Sequence, residues 1–106
     1  MTKEPFKPDV EVLTNMAELL KALAHPVRLC IMYGLVQQGP CNVTHIQHCL
    51  DIPQSTVSQH LARLRTAGLI VGRRSGVEVH YEVVDPFIKD LVTMVVTANP
   101  PYISRE

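Results

Sequence analysis

The chain of 106 residues has no tryptophan, two phenylalanines and three tyrosines. So few aromatic rings argue against a platform on which single-stranded bases stack. No apolar run approaches the roughly 18 residues of a membrane span. The first ten residues, MTKEPFKPDV, lack the apolar centre of a secretory signal. Ten basic and ten acidic side chains cancel. Net charge therefore gives no general attraction to nucleic acid or membrane, and any such attraction must be local. Three cysteines, Cys30, Cys41 and Cys49, are an odd set with no secretory context, which reads as a reduced cytoplasmic protein with free thiols. There is no glycine-rich phosphate loop and no evident carboxylate pair, so an enzyme is not expected.

What is present is a chain that is 46% hydrophobic, enough for the core of one domain. A core of this size is thin, and a dimer interface would add burial. Pro5 and Pro8 mark residues 1–10 as a loose arm. From Val12 the apolar residues fall at 12, 13, 16, 19, 20 and 23, which predicts a helix to about Leu23 or Ala24. Pro26 suits the first turn of a second helix that ends at Gly39-Pro40. Asn42 and Thr44 are cap residues for a short helix over 44–50, with Ile46, Cys49 and Leu50 turned inward. A tight connection, Asp51-Ile52-Pro53, leads to a fourth helix with Gly68 just beyond its end. After Gly68 the period changes to two. Leu69-Ile70-Val71 is β-prone, Gly72 to Gly76 reads as a turn, and Val77, Val79, Tyr81 and Val83 alternate with polar residues. The result is a hairpin with arginines at its tip. Asp85-Pro86 opens a last helix, and a tail over 99–106 follows a domain over 11–98. The order is helix, helix, short helix, helix, hairpin, helix. It predicts a mainly α fold with a small β-hairpin, a winged helix-turn-helix.

The fourth helix carries the functional signal. In PQSTVSQHLARLR, Val57, Leu61 and Leu64 form one buried stripe, and short hydroxyl and amide side chains fill the rest. Serine and threonine are mediocre helix formers, so a purely structural face has little use for them. Short side chains let a helix sit close to base edges in a major groove. Gln54 or Gln59 can pair with an adenine edge, and Ser55, Thr56 and Ser58 can reach phosphates or bases. Residues 52–77 hold Arg63, Arg65, Arg73 and Arg74 and no acid, so a neutral chain can present one basic face to double-stranded DNA. A winged helix used only for protein contacts would carry apolar residues there instead.

Taken together, ELLKALAHPVRL over 18–29, QSTVSQHL over 54–61, AGLI over 67–70 and the wing GRRSGVEVHYEV resemble the ArsR/SmtB family of bacterial winged-helix repressors. The likeness covers about residues 16–96. It implies a homodimer built on the first and last helices, to which Leu13, Met16, Leu20, Ile88, Leu91, Val92 and Val95 would contribute. It also implies an inverted-repeat operator and release from DNA by an inducer. It places Gln54, Ser55, Thr56, Ser58, Gln59 and His60 against DNA, and makes His25 a helix-boundary residue.

The sequence departs from the family's familiar metal sites. Asn42-Val43-Thr44 stands where a Cys-Val-Cys would bind arsenic, and Asp85-Pro86-Phe87 has phenylalanine where a zinc site has histidine. No cofactor is expected. One local metal candidate remains in CNVTHIQHC, with Cys41, His45, His48 and Cys49, whose thiolates and imidazoles would suit zinc or copper(I). Otherwise Cys49 fills core and the histidines are solvated. Thiol redox sensing is a second option, with Cys41 near a helix start and its pKa lowered. Cys30 is read as helix packing. The inducer could thus be a metal, an oxidant or a small molecule, or there could be none.

Overall fold

The computed structural model describes residue 6 and residues 9–98. The expected tail over 99–106 lies outside the described residues, as does most of the expected arm. Of that arm, Asp9 caps and Val10 opens the first helix, α1 (Val10–Leu23), the Asp9 carboxylate accepting from the Val12 N–H at 3.2 Å. The next helix, α2 (Pro26–Gln38), starts where His25 Nδ1 accepts from the Val27 N–H at 3.1 Å, with Pro26 in the first turn. Two residues, Cys41 and Asn42, form β1, and Asn42 caps α3 (Val43–Leu50) by accepting from His45 N–H at 2.8 Å. Asp51 then takes the left-handed conformation, φ 55°, and turns the chain into α4 (Gln54–Thr66).

The end of α4 is a Schellman closure. Gly68 has φ 77°, its N–H reaches Arg65 O at 3.0 Å, and Leu69 N–H reaches Leu64 O at 3.0 Å. Leu69 and Ile70 are buried and feed β2 (Val71–Ser75), which pairs antiparallel with β3 (Glu78–Glu82). Asp85 caps α5 (Pro86–Thr97) by accepting from Phe87 N–H at 2.8 Å.

Two features depart from the sequence expectation. First, the sheet has three strands in the order β1-β3-β2, because Cys41 pairs with Tyr81 and Asn42 with His80. Second, the strand β2 runs through Gly72, Arg73, Arg74 and Ser75, and the tip of the wing is Gly76-Val77. Gly72 is not a turn residue. It sits opposite Tyr81, where a β-carbon would lie 3.0 Å from Val79 Cγ1 and 3.2 Å from the Tyr81 ring.

The core gathers one stripe from each helix. Met32 of α2, Val57 and Leu64 of α4 and Val92 of α5 are fully enclosed, and Ile46 of α3, Leu61, Leu69, Ile70 and Val83 close around them. Three expectations for burial change. Cys49, expected inside α3, is exposed, and Cys30, expected in helix packing, is exposed as well. Ile88 and Val92, expected at the dimer interface, face the subunit's own core instead, at 4% and 0% exposure. Leu91 is half-buried, and the side of α5 left open carries Phe87, Met94, Val95 and Val96.

Candidate nucleic-acid interface

Helix α4 packs Val57, Leu61 and Leu64 inward, and this fixes what its other side presents. Gln54, Ser55, Ser58, Gln59 and Arg65 are exposed on it; Thr56 and Arg63 are half-buried at its margins. The first turn of α4 has no side-chain cap. Pro53 O accepts from the Thr56 and Val57 N–H groups, and the N–H groups of Gln54 and Ser55 have no partner among the described residues.

His60 is placed differently from the expectation. It is half-buried, its Nδ1 lies 3.3 Å from Arg28 Nη1, and its ring stacks on His25 with centroids 4.6 Å apart. Arg28 also donates through Nε to Ala22 O at 2.6 Å. His60 therefore braces α4 against the α1–α2 junction and does not face outward with its neighbours. The cause is helical phase, since His60 follows Val57 by three residues and shares its inward side. Burial, His25 and Arg28 together push the His60 pKa below the usual histidine value, and Nδ1 faces Arg28, which can only donate. Ser58 and Gln59, immediately before it, stay free.

The wing follows α4 in the chain, and β3 packs against α2 and α3. Arg73 lies within β2, and its Nε is 2.9 Å from Glu82 on β3, a diagonal cross-strand pair. Arg74 is exposed, with no ion pair among the described residues. The arginines therefore project from the strand, short of the tip. Val77 at the tip is 96% exposed.

The segment CNVTHIQHC is split. Cys41, His45 and Cys49 come to one side, with Gln38 between them: Gln38 Oε1 is 2.7 Å from His45 Nε2, and Cys49 Sγ is 3.9 Å from the same nitrogen. His48 lies apart, in a cleft with Thr44, Gln47 and Asp51. Among the described residues no group of three or more His, Cys, Asp or Glu side chains is arranged to hold a metal ion. Cys41 is buried, and its Sγ lies 3.4 Å from Gly39 O. Burial and the neighbouring Cys49 push its pKa up, opposite to the lowering expected from a nearby helix start. Sequence reasoning missed that Cys30, on α2, joins Cys41, His45 and Cys49 around one cavity of about 190 Å³. The four residues spread over positions 30–49, and no local spacing signals that they meet.

A short helix, a tight left-handed turn, a second helix with a polar outer face and a flanking hairpin with arginines define a winged helix-turn-helix protein of the DNA-binding class. Comparison with known proteins agrees. A model described as "Bacterial regulatory protein, arsR family" matches residues 25–71. The transcriptional repressor PagR of Bacillus anthracis is 42% identical over 83 residues, which cover 77% of this chain and 82% of that protein. The repressor SmtB of Mycobacterium tuberculosis is 42% identical over 88 residues, 83% of this chain but 64% of its own length. The crystal structure of PagR superposes with a TM-score of 0.76 at 38% identity, covering 82% of this chain and 99% of PagR. A homodimeric winged helix-turn-helix DNA-binding domain from Mycobacterium bovis, a possible ArsR-family regulator, gives 0.76 at 27% identity, covering 90% and 87%. The protein belongs to the ArsR/SmtB family of transcriptional regulators.

Proposed function

We propose that the protein is a cytoplasmic homodimeric repressor. It reads an inverted-repeat operator with the outer face of α4 and anchors to the flanking backbone with the wing. The observation that carries this reading is the face Gln54, Ser55, Ser58 and Gln59, polar, short-chained and unobstructed on a helix whose other side is locked into the core. Gln59 or Gln54 pairs with an adenine edge, the serines and the N–H groups at the start of α4 take phosphates, and Arg74 takes the backbone beside the groove. A partner-protein surface at this place would be apolar, and this one is not.

The dimer reading rests on α1 and α5. Leu13, Met16 and Leu20 on α1 and Phe87, Met94 and Val95 on α5 are all at least 40% exposed, a large apolar area for a small monomer. The homodimeric Mycobacterium bovis neighbour supports the same assembly. Among the described residues no single helix is long and apolar enough to cross a membrane. For the signal, the metal-responsive alternative draws no support from the geometry of Cys41, His45 and Cys49. The raised pKa of Cys41 weakens its case as a primary redox thiol.

The test is equilibrium binding to the DNA upstream of the protein's own gene and to random DNA, with sedimentation of the free protein. Tight binding to the upstream DNA by a dimer supports the reading. Equal affinity for both DNAs, or a monomer that binds as well as the dimer, refutes it.

A further inference from the structure

The cavity between α2 and α3 has no place in DNA binding. Its floor is apolar, made by Ile31, Leu35, Ile46 and Leu50, and all three cysteines of the chain lie in its wall. A structural void would need no such concentration of nucleophiles. A site for an inert apolar ligand would not need it either. A metal site is not formed, because the thiols and His45 do not converge on one point. What remains is a cavity that first holds an apolar molecule and then bonds to it.

Size narrows the guest. A cavity of ~150 Å³ accommodates benzene, so one of about 190 Å³ takes a single ring with small substituents. Polar atoms at the rim narrow it further. Gln38 Oε1 is committed to His45, and the Gln38 amide N–H groups make no hydrogen bond among the described residues, so they can donate to a carbonyl oxygen. Cys30 and Cys49 both reach solvent and the cavity, and Cys41 is enclosed. Of the two exposed thiols, Cys49 is the one beside the His45–Gln38 pair, 3.9 Å from the His45 ring.

We propose that this cavity is a capture site for small quinones, which bond to Cys49 and thereby release the protein from DNA. In the capture step, Cys49 gives its proton to solvent and its sulfur adds to a ring carbon of the quinone. The ring C=C electron pair moves onto a carbonyl oxygen, which takes a proton from solvent. The proton on the attacked carbon then passes to the second oxygen. The product is a hydroquinone thioether that contains every atom of both reactants, and the ring is reduced by the sulfur's own electron pair, so neither an external reductant nor an external oxidant is required. Cys49 is the last residue but one of α3, directly before the Asp51 turn into α4. A ring anchored there wedges α2 from α3 and shifts the base on which α4 rests. The release half of this inference rests on the proposed DNA-binding function; the capture half does not.

The experiment uses full-length protein and one equivalent of para-benzoquinone, read by intact mass and peptide mapping, beside the single variants Cys30→Ser, Cys41→Ser and Cys49→Ser. Binding of upstream DNA is measured before and after. The expected result is one adduct on Cys49 that survives in Cys30→Ser and Cys41→Ser and vanishes in Cys49→Ser. Excess toluene, which fills the cavity without bonding, slows it. The adducted protein binds DNA roughly ten- to a hundredfold more weakly, the usual size of a coupling between two sites, and Cys49→Ser keeps its DNA affinity in the presence of quinone. Labelling spread equally over the three thiols, labelling led by Cys30, or no effect of toluene overturns the capture site. A Cys49 adduct with unchanged DNA affinity overturns the release mechanism. Failure of the untreated protein to bind DNA counts against the proposed function alone, since the mapping still decides the cavity.

Discussion

Ser58 and Gln59 sit next to His60 in the chain, yet the structure gives the three different work. The first two face outward, and His60 braces the helix from behind. Replacing Ser58 or Gln59 with alanine is expected to weaken operator binding by about 1–3 kcal/mol where the side chain reads a base and to leave random DNA nearly unaffected. Arg74→Ala is expected to weaken both DNAs alike and to reduce the log–log salt slope by about 0.9 for each subunit, about 1.8 for the dimer. Titrations at several salt concentrations separate the two behaviours. Arg73→Ala should do less than Arg74→Ala, because Glu82 already offsets part of the Arg73 charge. His60 predicts a pH effect on folding. Its folded pKa is lowered, so below the usual histidine value near 6.5 the unfolded chain takes up a proton that the folded chain refuses. Stability is therefore fully present above that value and falls as pH drops below it. Urea unfolding of the natural protein between pH 7.5 and roughly 5.5 should show this decline, and His60→Gln should flatten it.

Each helix could be read from its own residues, because period and punctuation coincide: Pro26 at a start, Asn42 and Asp85 as caps, Gly68 just past an end. The strand β1 could not. It is two residues, Cys41 and Asn42, and it exists only because Tyr81 and His80, some forty positions on, offer backbone partners. The wing misled for a related reason. GRRSG carries turn residues at both ends, and the register of β2 on β3 decides that only Gly76 turns, leaving Gly72 in the strand beside Tyr81. The last helix is apolar on two sides, so its period cannot say which side meets the subunit's own core. The structure answers that Ile88 and Val92 do, while Phe87 and Met94 stay out. The polar face of α4 was legible because polar residues on a helix need no distant partner to be exposed. The cavity was not, because its walls come from three elements. Reading DNA in this way requires α4 to be held rigidly by its buried stripe. Leu64→Ala, at an enclosed site, is expected to cost about 2–5 kcal/mol in unfolding free energy and to weaken DNA binding by depleting the folded protein. Thermal melts with and without DNA measure both.

A symmetric pair of subunits would turn these parts into a reader of inverted repeats. Leu20 and Met94 lie on the two open apolar faces, at 54% and 68% exposure, and neither contributes to the subunit core. Changing both to glutamate is expected to leave a folded monomer without most of the operator affinity, since each subunit alone engages a single half-site. Sedimentation and circular dichroism check the two halves of that statement. The most direct test of the central claim is a methylation-protection footprint on the upstream DNA. Two copies of α4 in adjacent major grooves should protect guanine N7 positions in two clusters about one helical turn, ~10 base pairs, apart on symmetric half-sites, with both clusters lost when Gln54 and Gln59 are both replaced by alanine. Protection confined to a single cluster, or a footprint unchanged when Gln54 and Gln59 are both replaced by alanine in a folded dimer, would show that α4 is not what reads the DNA.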